Sequence, residues 1–172
     1  MKKFYLVAMS IGVLITLSII AVQSVQLTNS TDNSAEKLIQ STLLHTMVKS
    51  GGGVDEFTRL LEGNYDPDSR DVQQRTPLHW AAIMARPEEA NLLLIHGADV
   101  QAKDFQGNTP LHFVGKYTTH LKDRYEVINT LLFYEADVFA SNNAGYKPID
   151  VGRYSLGSYM LKKSILDHEH RR

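Results

Sequence analysis

The sequence predicts an all-α solenoid of about four helix–turn–helix units, each with a hairpin-like loop, preceded by an N-terminal hydrophobic helix. Two observations predict this architecture. Leucine pairs, acidic residues and dipeptides ending in Pro recur at matching offsets, and an uncharged run of 19 residues follows Met1-Lys2-Lys3. The 172 residues, 43% of them hydrophobic, are enough for one folded domain with a continuous core.

The N-terminal run is FYLVAMSIGVLITLSIIAV, residues 4–22. Basic residues followed by an apolar run direct insertion across a bilayer. A transmembrane helix needs about 20 apolar residues, whereas the apolar region of a signal peptide has about 7–15. We expect residues 1–24 to be a transmembrane anchor or a cleaved signal peptide, followed by a polar linker over 25–33. The anchor predicts a single-pass membrane protein with its main domain on the non-cytoplasmic side, and the signal a periplasmic or secreted one.

The composition excludes several kinds of site. The chain has no cysteine, which rules out disulfides, thiol nucleophiles and thiolate metal sites. Its formal net charge is −1, and so small a charge provides no general attraction for nucleic acid. We therefore predict no cofactor, no metal site and no nucleic-acid partner, and the oligomeric state stays open.

The units are visible as a register of matching positions. Each has a leucine pair, an Asp six residues after the first Leu, and then a polar residue, a turn residue and a Pro at constant offsets. The matching sets are Leu60, Leu93 and Leu131; Asp66, Asp99 and Asp137; Asp71, Asp104 and Asn142; Gln74, Gly107 and Gly145; and Pro77, Pro110 and Pro148. The third unit carries five extra residues between its helices, which we place around Thr118–Lys122. This insertion is either a neutral loop or part of a binding surface.

Elementary physical chemistry explains the recurring residues of the central units. The threonine of a Thr-Pro dipeptide is a predicted N-cap, and the proline takes the first helical position, where its missing N–H costs nothing. One glycine ends the second helix in a left-handed conformation, and another permits a tight turn. The predicted structural residues are Thr76, Pro77, Gly97, Gly107, Thr109 and Pro110.

These motifs resemble the ankyrin repeat family. Residues 76–108, TPLHWAAIMARPEEANLLLIHGADVQAKDFQGN, look like one full repeat. Residues 109–146 look like a second, which departs from the family at Val114-Gly115 and at Glu135, where glycine is usual. The resemblance implies a small bacterial-type ankyrin repeat protein with an N-terminal signal or anchor.

Two weaker copies flank the central ones. Residues 42–75 keep Thr, Leu and His but have Leu43 in the position of the proline. Residues 147–172 fit a terminal copy in which Asp150 replaces the histidine. Terminal repeats are commonly atypical because they cap the stack. We therefore expect the repeat domain to cover residues 34–172.

The resemblance implies that the domain binds another protein through its loop tips and the concave face of its first helices, and that it is not an enzyme. It also implies that His79 and His112 are structural and tie each turn to the start of its helix. Positions carried over from the family give the partner-binding residues that we expect. They are Gln73, Arg75, Ile83, Met84, Phe105, Gln106, Asn108, Lys116, Tyr117, Asn143 and Tyr146.

Two other functions remain open. A ligand-binding protein or an enzyme would use His and Asp side chains in the groove, and would have a pocket with convergent polar groups. A structural spacer tethered to a membrane would be unaffected by charge reversal at the loop tips.

Overall fold

The structure, a computed structural model, describes residues 33–63, 65–114, 120–151 and 162–167. The chain divides into two compact units, Met1–Ile39 and Gln40–Arg172. The described part of the first unit is the start of one helix, and all contacts discussed below belong to the second. The anchor or signal and the linker lie outside the described residues. Within those residues, no helix is both long enough and apolar enough to cross a bilayer.

The described part of the chain is helical and contains no strand. Its helices are α1 (Asn33–Ser50), α2 (Val54–Glu62), α3 (Pro77–Met84), α4 (Pro87–Ile95), α5 (Pro110–Val114) and α6 (Leu121–Phe133). A further short helical segment covers residues 162–167. The predicted all-α class is confirmed for these residues, with α3–α4 and α5–α6 as the helix pairs of the two central copies.

Both first helices begin where the Thr-Pro dipeptides predict. α3 starts at Pro77 after the N-cap Thr76, whose side chain accepts a hydrogen bond from the His79 amide. In return, the Thr76 amide donates to His79 Nδ1 at 3.1 Å, which completes a capping box. The Thr109 amide likewise donates to His112 Nδ1 at 3.0 Å, while the His112 amide donates to the Thr109 carbonyl. Short-range residue pairs therefore fix the starts of both helices.

The terminal copy begins with half of this arrangement. The Lys147 amide donates to Asp150 Oδ2 at 3.0 Å, so a carboxylate takes the acceptor position of the histidine ring. Pro148 is buried, and the amides of Asp150 and Val151 donate to the Lys147 carbonyl in a turn. The copy thus keeps the backbone geometry of its neighbours with a different side chain.

The first copy differs because α1 runs without a break from Asn33 to Ser50. Residue 42, where the sequence places the start of this copy, lies inside the helix. The Thr42 carbonyl accepts from Thr46 Oγ1 at 2.7 Å. Leu43 explains the continuity, since it retains the amide N–H that a proline at the same position would lack. The helix can therefore begin nine residues upstream of the position that the repeat register gives.

The core is a continuous apolar layer between the helices. Ala81 and Ala82 are fully buried in α3, and Leu93 and Leu131 are fully buried in the two second helices. Other members of the same cluster are Leu44, Val48, Phe57, Leu61, Leu78, Leu111, Val127, Ile128 and Leu132. Each copy buries its apolar side chains against its neighbours, as expected for a repeat protein.

The described residues of the insertion in the third copy, 120–122, lead into a longer second helix. α6 has 13 residues, whereas α4 has nine, and residues 121–124 are the added turn at its N-terminus. The Arg124 side chain is buried and donates to the carbonyls of Ala82 at 3.1 Å and Ile83 at 3.4 Å. These carbonyls lie near the C-terminal end of α3, where a cation is favourable. The longer helix thus places Arg124 on the end of the neighbouring helix.

Candidate functional site

The loop tips are tight turns that use one polar residue in the same way. Asp71 Oδ1 accepts from the amides two and four positions later, at 2.8 and 2.9 Å. Asp104 and Asn142 make the same pair of bonds at 2.8–3.0 Å. The residue three positions after each has a positive φ, which is 60° at Gln74 and 77° at Gly107. These internal bonds fix the shape of each tip.

Neighbouring tips are also hydrogen-bonded to each other in register. The Phe105 amide donates to the Gln73 carbonyl at 3.2 Å, and the Asn143 amide donates to the Gln106 carbonyl at 2.9 Å. Gly107 has no room for a side chain, because a Cβ there would clash with Asn143. Four residues predicted to contact a partner, Gln73, Phe105, Gln106 and Asn143, therefore form one exposed edge, which we call the tip edge.

The histidines of successive copies connect neighbouring repeats. Nδ1 of His79 accepts the Thr76 amide, so Nε2 carries the proton and donates to the Asn108 carbonyl at 2.9 Å. His112 Nε2 donates in the same way to the Tyr146 carbonyl at 3.1 Å. The sequence predicts a local tie, and the structure adds a bond to the following repeat. Each ring uses both nitrogens on the protein's own backbone, which leaves neither for acid–base chemistry or a metal.

Burial keeps both rings neutral. It lowers the pKa of His79 to about 4 and also lowers the pKa of His112, because the charged ring is poorly solvated there. In the part of the chain that the structure describes, no three His, Cys, Asp or Glu side chains are grouped to hold a metal ion. The recurring histidines therefore support the fold.

A row of alternating cations and aromatic rings crosses the first helices. Lys49 Nζ lies 3.8 Å from the centroid of the Trp80 ring. The Arg75 guanidinium carbon lies 5.2 Å from the Trp80 centroid and 5.3 Å from that of Phe113, within the range of cation–π attraction. We call these four residues the cation–aromatic row. It joins α1, α3, α5 and the residue just before the α3 cap.

A recess of about 350 Å³ opens beside this row. Its lining residues are Arg75, Gln106, Asn108, His112, Phe113, Asn142, Tyr146, Asp150 and Val151. Arg75 and Phe113 belong to both the row and the recess. The recess therefore places a cation, a carboxylate, side-chain amides and aromatic surface together, from residues of four successive copies.

The predicted partner-binding residues outside the tip edge have different environments. Met84 and Tyr146 are exposed, with 38% and 54% of their surface accessible, whereas Ile83 is half-buried against the core. Arg75 is half-buried in the cation–aromatic row. Lys116 and Tyr117 lie outside the described residues.

Asn108, also predicted to contact a partner, has a side chain that is used within the domain. The Asn108 side chain is buried. Its Nδ2 donates to Asp104 Oδ2 at 3.2 Å and to Gln106 Oε1 at 3.3 Å. Its Oδ1 accepts from Asn142 Nδ2 at 2.8 Å. These contacts connect two loop tips, so Asn108 shapes the floor of the recess.

Sequence reasoning missed Lys49, Trp80, Phe113 and Val72. Trp80 and Phe113 directly follow the two recurring histidines, and an aromatic residue at the same position in both central copies was a usable signal. Val72 is 98% exposed and occupies the tip position that Phe105 has in the next copy. Lys49 carries no such signal, because only folding brings α1 onto the Trp80 ring.

Comparison with known proteins agrees with this architecture. The family model for ankyrin repeats (3 copies) matches residues 19–104 and 44–142, which together are more than half of the chain. A stretch of 56 residues is 47% identical to Potassium channel KOR2 of Oryza sativa subsp. japonica, and covers 33% of this chain and 8% of the channel. The chain therefore spans less than a tenth of the length of that relative. The extent of the family match, together with the repeated caps, tips and helix pairs, shows that the chain belongs to the ankyrin repeat family.

Proposed function

We propose that this domain binds another protein through the tip edge and the exposed face of its first helices. Ankyrin repeats are generally protein–protein interaction modules. The partner-binding positions at the tips come from successive copies, so a partner would contact several repeats at once. Such a surface is extended, as is usual for repeat proteins.

The observation that carries the proposal is the rigid tip edge together with Val72, which lies next to Gln73 in the chain. Val72 and Phe105 are exposed at equivalent tip positions, with 98% and 59% of their surface accessible. The backbones beneath them are fixed by hydrogen bonds within and between the tips. Exposed apolar side chains on a preorganised backbone bind with little loss of conformational entropy.

A catalytic use of the groove has less support. Both ring nitrogens of the histidines at the helix starts are hydrogen-bonded to backbone groups. The recess contains the carboxylate of Asp150, which already accepts the Lys147 amide. A base needs a free, correctly placed acceptor, and these groups support binding better than proton transfer.

Site-specific photo-crosslinking tests the proposal and separates it from a purely structural spacer. A photoreactive phenylalanine derivative replaces Phe105 in the full chain expressed in cells. Phe133 is the matched control, since it is the same residue type and is 75% exposed on α6. We expect a discrete adduct with another protein from position 105 and none from position 133. Absence of any adduct at 105, or equal adducts at both positions, would contradict the proposal.

We also propose that residues 4–22 carry this domain across a membrane. The support is their uncharged composition and the two lysines that precede them. Cell fractionation combined with identification of the mature N-terminus tests this directly. An integral membrane protein that retains Met1 indicates the anchor, and a chain that begins at Val25 indicates a cleaved signal. A cytoplasmic chain that retains Met1 would exclude both.

A further inference from the structure

We propose that the cation–aromatic row and its recess bind an acidic segment of the partner chain, with a carboxylate on Arg75. This inference rests on the proposed function and specifies the chemistry of the partner. It follows from which charged groups of this surface already have hydrogen-bond or ion-pair partners within the domain.

Within the part of the chain that the structure describes, the two cations of the row have no acidic partner. Among the described residues, no carboxylate oxygen lies within ion-pair distance of Lys49 or Arg75. Arg75 Nε is buried and has no hydrogen-bond partner within that part of the chain. Both cations instead lie against the Trp80 ring, at 3.8 and 5.2 Å from its centroid. The two cations are therefore close enough to bind the same carboxylate or two neighbouring ones.

The acids nearby are already occupied by donors of the domain. Asp71 accepts from the amides of Gln73 and Arg75 and from Trp80 Nε1 at 2.9 Å. Burial by itself raises the pKa of Asp71, but these hydrogen bonds outweigh it and hold the pKa below its usual value. Asp150 in the recess accepts the Lys147 amide. Among the described residues, this surface thus offers two cations without an ion-pair partner beside Asp71, whose two carboxylate oxygens both accept hydrogen bonds.

The geometry of Arg75 suits a carboxylate in particular. A guanidinium presents its N–H donors in a planar fork that matches the two oxygens of a carboxylate. Here the guanidinium carbon lies 5.2 Å from the Trp80 centroid and 5.3 Å from the Phe113 centroid. These contacts restrict the side chain, so less entropy is lost when it binds. A recess of about 350 Å³ accommodates a side chain or a short segment. Gln106 lines the same space and supplies side-chain amide N–H donors.

The test uses peptides as the probe. Random 12-residue peptides displayed on phage are selected against the full chain in detergent micelles. The selected sequences are then synthesised with free and with amidated C-termini, which separates side-chain carboxylates from a terminal one. We expect an Asp or Glu at a recurring position, and binding that weakens about tenfold or more in Arg75→Gln. Arg59→Gln is the matched control, because Arg59 is an exposed arginine on α2, and it should bind like the wild type.

A second readout needs no partner. Trp80 is the chain's one tryptophan, so intrinsic fluorescence reports this surface directly. We expect iodide to quench its emission more than caesium, and a bound acidic peptide to protect it from iodide. Arg75→Lys, which keeps the charge, should retain more of the iodide quenching than Arg75→Gln. Circular dichroism verifies that each variant is folded.

The outcomes separate the two proposals. Selected peptides that lack acidic enrichment and bind Arg75→Gln normally would overturn the acidic-segment inference and leave protein binding in place. Stronger quenching by caesium than by iodide would also overturn it. Selection of no peptide counts against the inference as well, while crosslinking from position 105 decides the proposed function independently.

Discussion

The second and third copies of this domain begin their first helix in the same way, but they differ after their second helix. Residues 76–108 and 109–146 share the bond from the Thr amide to His Nδ1 at the helix start and the same two-bond turn at the tip. They differ after the second helix, where one has Gly97 and the other Glu135, both at positive φ. They also differ in the length of that helix. The backbone path is therefore conserved between the copies, although the side chains that support it are not.

The arginine positions show how such a difference is accommodated. Arg86 and Arg124 are each seven residues before the first leucine of their pair. Arg86 is half-buried beside Gly51, just past the end of α1. Arg124 is fully buried and bonds to carbonyls of α3 in the preceding copy. One register position thus places a cation at a helix end in both copies, and the longer helix buries it more completely.

The largest expected effect comes from Arg124→Met. The methionine keeps an apolar stem but leaves the carbonyls of Ala82 and Ile83 without their buried donor. We expect the free energy of unfolding to fall by about 3 kcal/mol. Urea unfolding of the full chain, followed by Trp80 fluorescence, measures this change.

Arg86→Met is the matched variant in the second copy. Arg86 Nε has no hydrogen-bond partner among the described residues, so we expect a loss of about 1 kcal/mol or less. Equal losses of stability in the two variants would show that the contribution of the arginine at this register position does not depend on the longer helix.

Acidification is expected to have the next largest effect, through His79. The pKa of His79 is about 4 in the folded domain, below the ordinary value of 6.5, so the folded state binds fewer protons between these values. Its stabilising contribution is complete above about pH 6.5 and is lost as the pH falls towards 4, at up to about 1.4 kcal/mol per pH unit and about 3 kcal/mol in total. Urea unfolding at a series of pH values measures the slope.

His79→Gln isolates this contribution. The variant should be less stable at neutral pH, because the bond to the Asn108 carbonyl is lost, and its stability should fall less steeply below pH 6.5. A slope equal to that of the wild type would show that the proton uptake belongs to other groups.

The sequence predicts the structural features that depend only on residues close together in the chain. Thr76, Pro77 and His79 lie within one helical turn, so their spacing alone specifies the cap, and the tip turns are equally local. The cation–aromatic row depends on Lys49, Trp80 and Phe113, which are 31 positions or more apart in the chain, and the position of Lys49 follows from where α1 packs. The start of α1 at Asn33 is equally local, because Asn33-Ser34-Ala35-Glu36 has the capping-box pattern, which predicts an amphipathic helix beginning there.

The smallest predicted effect returns to the difference between Gly97 and Glu135. A side chain at positive φ costs about 1 kcal/mol relative to glycine, and Glu135 has a φ of 63° on an exposed turn. Its carbonyl accepts from Gln101 Nε2 at 3.0 Å, and glycine would keep that bond. We expect Glu135→Gly to raise the free energy of unfolding by about 0.5 kcal/mol, because the relief of strain exceeds the added entropy of the unfolded chain. Gly97→Ala should lower it by about 1 kcal/mol, although the space around Gly97 is open. If both substitutions changed stability in the same direction, backbone conformation would not be what distinguishes the two positions.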